Sequence, residues 1–94
     1  MKLNGIIWYE KIIEKLEKKH TVQQYEVREV FGNNPVFRYV ENGLQLNENV
    51  YAAFGRTNSG RYLIIFFIYK VNKHALIMSA RDMTQSERKK YEQE

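Results

Sequence analysis

Tyr62 to Tyr69 reads YLIIFFIY, eight consecutive residues without a charge or a turn former. The run falls far short of the ~20 apolar residues needed to cross a membrane as a helix. It reads instead as a strand apolar on both faces, and such a strand belongs at the centre of a sheet. Its flanks fit. TNSG (57–60) is a four-residue turn, and NVYAAFGR (49–56) before it is a second strand. After the run, a turn near Val71–Asn72 leads to KHALIMSAR (73–81). Upstream, VFRYVE (36–41) is a further strand, and Asn42–Gly43 is a hairpin signal, with a longer irregular loop as the alternative given the polar stretch that follows. The expectation is a meander of four antiparallel strands.

Helical periodicity occupies the ends. Over residues 5–19, Ile6, Tyr9, Ile12, Ile13 and Leu16 share one side, while Lys11, Glu14, Lys15 and Lys18 take the other. Thr21 and Gln24 fit a capping box for a second helix, whose apolar contacts are Val22, Val27, Val30 and Phe31. GNNP (32–35) stops it. A last helix begins at Thr84, with Thr84 and Glu87 as its capping box. The predicted order is two N-terminal helices, a four-stranded antiparallel meander sheet and a C-terminal helix, an α+β fold in a single domain over residues 1–94. No internal repeat, linker or signal peptide is visible.

Charge is distributed unevenly. Residues 1–55 hold seven Lys/Arg and seven Glu, whereas residues 56–90 hold eight Lys/Arg against Asp82 and Glu87. A one-sided basic half suits a polyanionic partner, either nucleic acid or an acidic protein, and the competing reading is solubility. The chain has no cysteine, which excludes disulfides and cysteine zinc sites and fits a reducing cytoplasm. There is no Gly-rich phosphate loop, HExxH, EF-hand pattern or nucleophile elbow, and the two histidines are too far apart for metal-ligand spacing. Neither a metal nor a cofactor is expected.

Hairpin arithmetic then points to a site. A four-residue TNSG loop sets Arg56 directly opposite Arg61, and like charges facing across strands destabilise the pair. The next turn returns the chain so that Arg81 reaches the same sheet end. Three guanidinium forks there make an anion clamp, against the alternative of three solvated rim arginines. The final helix carries Tyr91 as its only large apolar residue, so it docks weakly. Arg88, Lys89 and Lys90 are either its solvated face or an extension of the cluster that tracks phosphates. Glu87 is a cap or a catalytic carboxylate. His20 closes the first helix or acts as a general acid/base. Trp8, at the edge of the core stripe, packs or stacks on a base.

Trp8, KKHTV (18–22), FGRTNSGRYL (54–63) and SARDMTQSERKKY (79–91) together resemble the BrnT family of toxins from bacterial type II toxin–antitoxin modules. The pieces run in the family's order and cover most of the chain; Tyr9 and Glu10 depart from its usual acidic–proline pair after the tryptophan. The resemblance implies a RelE-like fold, metal-independent RNA cleavage that blocks translation, and a BrnA-like antitoxin with a DNA-binding domain. Its motif positions single out Arg61 and Arg81 first, with Lys19, His20 and Glu87 also matching. A non-catalytic basic adaptor for nucleic acid or protein is the rival reading.

Overall fold

The computed structural model describes residues 1–94. Its elements are β1 (Gly5–Ile7), α1 (Glu10–Lys15) running into a wide π turn (Leu16–His20), α2 (Gln24–Gly32), β2 (Val36–Glu41), β3 (Val50–Arg56), β4 (Tyr62–Tyr69), β5 (His74–Asp82) and α3 (Gln85–Glu92). One five-stranded sheet has the order β1-β5-β4-β3-β2. The four strands β2 to β5 form the expected antiparallel meander.

The sheet is nevertheless mixed and five-stranded, not four-stranded and antiparallel. β1 adds to the outer edge of β5 in parallel, pairing Gly5 with His74 and Ile6 with Ala75. Asn4 anchors this edge, donating its backbone N–H to the Lys73 carbonyl (2.7 Å) and its side-chain amide to the Asn72 carbonyl (2.9 Å). The helix expected over 5–19 therefore shrinks to 10–15 plus one π turn. Ile6 fits the helical stripe in sequence, but it joins the core from a strand.

The second helix also starts differently. Thr21 adopts a left-handed conformation (φ 50°) and ends the π turn. The N-terminus of α2 is closed by Gln23, whose backbone N–H donates to the Glu26 carboxylate at 3.0 Å. The capping box lies two residues beyond the Thr21–Gln24 pair. Thr84–Glu87 forms as expected: Thr84 N–H reaches Glu87 Oε1 (2.8 Å) and Glu87 N–H reaches Thr84 Oγ1 (3.2 Å).

Strand alternation divides the sheet into two faces. Ala53, Leu63, Ile65, Phe67, Ala75, Ile77 and Ala80 form one core with Leu16, Val22, Val27 and Val30 of the first two helical segments. Phe31 meets Phe67 edge-on at 5.4 Å. The other face carries Phe54, Tyr62, Ile64, Phe66 and Arg81 and receives only α3. A bulge between Phe66 and Phe67, with the extra residue on β5, sets Arg81 opposite Ile64 and hence on this second face.

Gly55 marks the closest approach of α2 to the sheet. A Cβ there would meet Val30 Cγ1 at 2.9 Å and Pro35 Cβ at 3.4 Å. Gly55→Ala should cost about 1–3 kcal/mol as overpacking. Thermal melting checks it: each kcal/mol moves the midpoint by roughly 4–8 °C in a domain of this size, and an unchanged midpoint would contradict the packing.

Candidate functional site

The turn after β3 decides where the arginines go. Arg56 pairs with Tyr62, not with Arg61. Thr57 and Arg61 close the loop instead: Thr57 N–H donates to the Arg61 carbonyl (2.9 Å), and Arg61 N–H donates to Thr57 Oγ1 (3.0 Å). Gly60 takes φ +94° inside the loop, a conformation glycine adopts without strain. The connection between the paired Arg56 and Tyr62 is thus residues 57–61, one residue longer than TNSG alone. A one-residue shift sends a side chain to the opposite face. Arg61 therefore turns to the helix-packed side, whereas Arg56, Tyr62 and Arg81 stay on the α3 side. The three-arginine clamp is corrected to two separate clusters.

On the helix side, every donor of Arg61 is engaged. Its Nε and Nη2 clasp the two oxygens of Asp82 at 2.8 and 3.1 Å. Nη1 donates to the Thr21 carbonyl (2.8 Å) and to Glu26 (3.1 Å), and Nη2 also reaches the His20 carbonyl (2.9 Å). Glu26 is buried, while Asp82 lies at the rim. The hydrogen bond to Asp82 raises the Arg61 pKa above its ordinary value, and that same bond lowers the Asp82 pKa. The nearby His20 acts on Asp82 in the same direction, more weakly. Arg61 is thus a cross-link that holds the left-handed Thr21 turn and the backbone of His20.

On the α3 side, Arg81 grips Glu87 with two parallel bonds, Nη1 to Oε1 (2.7 Å) and Nη2 to Oε2 (3.0 Å). Nη1 also donates to the Asp82 carbonyl at 3.1 Å. A guanidinium has five N–H donors; Nε–H and one Nη2–H of Arg81 remain unused. Its guanidinium carbon lies 5.7 Å from the Phe66 ring centre. This grip, then burial opposing it and the Thr84 backbone assisting, brings the Glu87 pKa down to about 2. A carboxylate so acidic is a weak general base near neutrality; its geometric role is to hold Arg81.

The depressed Glu87 pKa sets a pH window. Ionised Glu87 contributes to α3 docking at pH values above its ordinary pKa of 4.5, and the contribution disappears as pH falls through about 2. Acid titration of Glu87→Gln against the parent should show a larger loss of stability between those limits in the parent, since Asp82 titrates in both. Identical acid curves would contradict the pair.

Beside this pair, two further guanidiniums stack on one ring. Arg56 lies 4.5 Å and Arg88 3.9 Å from the Tyr62 ring centre. Tyr62 also donates its hydroxyl to Glu92 (3.1 Å) and meets Tyr91 at a ring angle of 86°. Arg56 makes one long bond, to the Gly60 carbonyl at 3.4 Å. The Arg88 side chain makes no hydrogen bond and approaches Glu92 only to 3.9 Å. Both are exposed. Lys89 is exposed on the same helix.

The remaining sequence candidates disperse. Trp8 is half-buried against the core. Lys19 is exposed in the π turn. No hydrogen bond or ion pair joins His20 to Arg81 or Glu87. Sequence reasoning missed Asp82, Glu26 and Tyr62. One signal was available for Asp82: consecutive strand residues face opposite ways, so Arg81 and Asp82 could not serve the same cluster.

A family model described as the ribonuclease toxin BrnT of type II toxin–antitoxin systems matches residues 8–87. Among solved structures, the 1.1 Å crystal structure of the Brucella abortus ribonuclease toxin BrnT aligns with a TM-score of 0.60 and 15% identity, covering 89% of this chain and all of that one. No curated protein sequence matches. At that identity the structural likeness speaks for the fold; the family match extends from Trp8 through Arg61 and Arg81 to Glu87. The chain belongs to the BrnT family, the ribonuclease toxins of type II toxin–antitoxin systems.

Proposed function

We propose that the α3 side of the sheet is an RNA-cleaving site, in a RelE-like toxin that acts in the bacterial cytoplasm by blocking translation. The observation that carries this reading is the row of available guanidinium donors: two on Arg81, and nearly complete sets on Arg56 and Arg88 beside the Tyr62 ring. Guanidinium forks match phosphate oxygens, and aromatic rings among cations are the elements of single-strand binding. Arg56, Arg88 and Lys89 bind the backbone, and Arg81 stabilises charge as it develops on the reacting phosphate.

The RNA supplies its own nucleophile. Its 2′-oxygen bonds to the adjacent phosphorus while the bond from phosphorus to O5′ breaks. The 2′-hydroxyl proton passes to a base, and a proton is delivered to O5′, leaving a 2′,3′-cyclic phosphate and a 5′-hydroxyl. Glu87 and Arg61 act as positioning residues, the first for Arg81 and the second for the His20 turn. His20, whose backbone carbonyl Arg61 holds beside Asp82, is the candidate proton carrier, reached around that edge of the sheet. Lys19, exposed next to it, adds a cation to the same approach.

The toxin family implies an antitoxin. A BrnA-like protein with a DNA-binding domain and an acidic or amphipathic segment over the basic half suits the surplus of positive charge in residues 56–90. Expression of this chain alone should arrest growth with loss of cellular RNA, and co-expression of the adjacent gene's product should restore growth and co-purify at low salt, where charge attraction is strongest. Unimpeded growth with the folded chain accumulating would overturn the toxin reading and favour a non-catalytic adaptor.

A further inference from the structure

A cavity of about 340 Å³ lies between α3 and the β2–β3 hairpin, lined by Val36, Arg38, Phe54, Glu87, Lys90, Tyr91 and Glu94. It exists because α3 packs lightly: Tyr91 reaches the sheet at Tyr62, and the Arg81–Glu87 pair ties down the first turn. The side chains between those anchors do not fill the space above Phe54. The cavity's size is at the lower end of the range for small-molecule sites, ~300–1,000 Å³, suited to a group no larger than a nucleoside.

The lining has a mixed chemistry. Phe54 and Tyr91 offer aromatic surfaces and Val36 an apolar one, and all three are half-buried. Arg38 and Lys90 bring N–H donors to the rim. Glu94, which pairs with Arg38, brings carboxylate acceptors. Glu87 forms part of the wall, and its carboxylate grips Arg81. The cavity therefore adjoins the guanidinium assigned to the reacting phosphate.

We infer that this cavity between α3 and the β2–β3 hairpin binds a purine base of the RNA, the base next to the phosphate held by Arg81. Flat aromatic surfaces suit the π-face of any base. The purine preference comes from the donors: both adenine and guanine carry the N7 acceptor that Arg and Lys side chains recognise, and pyrimidines lack it. Beside N7, adenine offers its amino group to the Glu94 carboxylate, and guanine offers its O6 to the Arg38 and Lys90 donors. This inference rests on the ribonuclease reading for the position of the cut, but base binding itself needs no cleavage.

The test uses the four ribonucleoside 5′-monophosphates, titrated separately into the full-length protein and followed by amide chemical shifts. The expected result is saturable binding of AMP and GMP that moves the resonances of Val36, Phe54 and Tyr91, with CMP and UMP at least tenfold weaker. Tyr91→Ala should weaken purine binding by roughly tenfold or more, as loss of a stacking ring does. Val36→Phe, which fills the cavity from the sheet side, should do the same with thermal melting retained. In parallel, cut sites of the parent on RNA of random sequence should be enriched in purine at one position beside the break, and Tyr91→Ala should flatten that preference.

If purines bind at these residues but no RNA is cut, the pocket stands and the ribonuclease reading falls. If RNA is cut with no base preference, or if all four nucleotides shift only the Arg56–Arg88 surface, the pocket assignment is overturned.

Discussion

Arg61→Ala should be the most destabilising substitution on this surface. Its side chain uses all five donors on Asp82, Glu26, Thr21 and His20. Truncation leaves the Glu26 carboxylate, 7% exposed, without its cationic partner. Breaking a buried pair from one side costs about 3–5 kcal/mol, a large share of the ~5–15 kcal/mol that holds a domain together. The left-handed Thr21 turn loses its anchor in the same step. A melting midpoint lowered by more than about 10 °C follows from the size scaling. Arg61→Lys should recover only part of this, because an ammonium cannot fork to Asp82 while reaching Glu26. Glu26→Gln should cost less than Arg61→Ala, since it leaves no unpaired charge buried. A melting midpoint within a few degrees of the parent for Arg61→Ala would show that the cross-link does not carry this corner.

Arg81→Ala should behave in the opposite way. The Arg81–Glu87 pair is partly exposed, at 34% and 25% for the two side chains. Solvent screens such pairs, and their typical worth is about 0–1 kcal/mol. The fold should survive with α3 loosened. Activity should not: removal of one preorganised charge stabiliser costs about 2.7–4 kcal/mol in the barrier, or roughly a hundred- to a thousand-fold in rate. Arg81→Lys should also be poor, because lysine keeps the charge but cannot grip Glu87 with one edge while presenting Nε–H and Nη2–H on another. Cleavage at the parent's rate by a folded Arg81→Ala protein would remove Arg81 from the site.

The contrast between these two arginines shows where the sequence is legible. The four strands β2 to β5 declare themselves through apolar runs separated by Gly, Asn and Ser, because local turn chemistry and side-chain alternation determine them. The Thr84–Glu87 cap is equally local. β1 is not local: three residues with no turn signal pair in parallel with a strand near the far end of the chain, and Ile6 satisfies a helical stripe equally well. The separation of Arg61 from Arg56 depends on a single residue of loop length, which Thr57 decides by bonding its side chain to the Arg61 N–H. Nothing in TNSG alone distinguishes a four-residue loop from that longer one. The bulge that sets Arg81 on the α3 face is likewise a tertiary feature. The motif resemblance points to Arg61 and Arg81 alike; it does not separate a residue whose donors are exhausted from one whose donors are free.

The chemistry of the cut ends separates attack by the RNA's own 2′-oxygen from attack by water. The folded protein, incubated with a defined single-stranded RNA in the presence of a metal chelator, should release fragments ending in 2′,3′-cyclic phosphate with matching 5′-hydroxyl ends. That outcome requires the RNA's own 2′-oxygen as nucleophile and a site built from side chains alone. Intact RNA under these conditions, with or without ribosomes, would contradict the account, as would fragments carrying 5′-phosphate and 3′-hydroxyl ends.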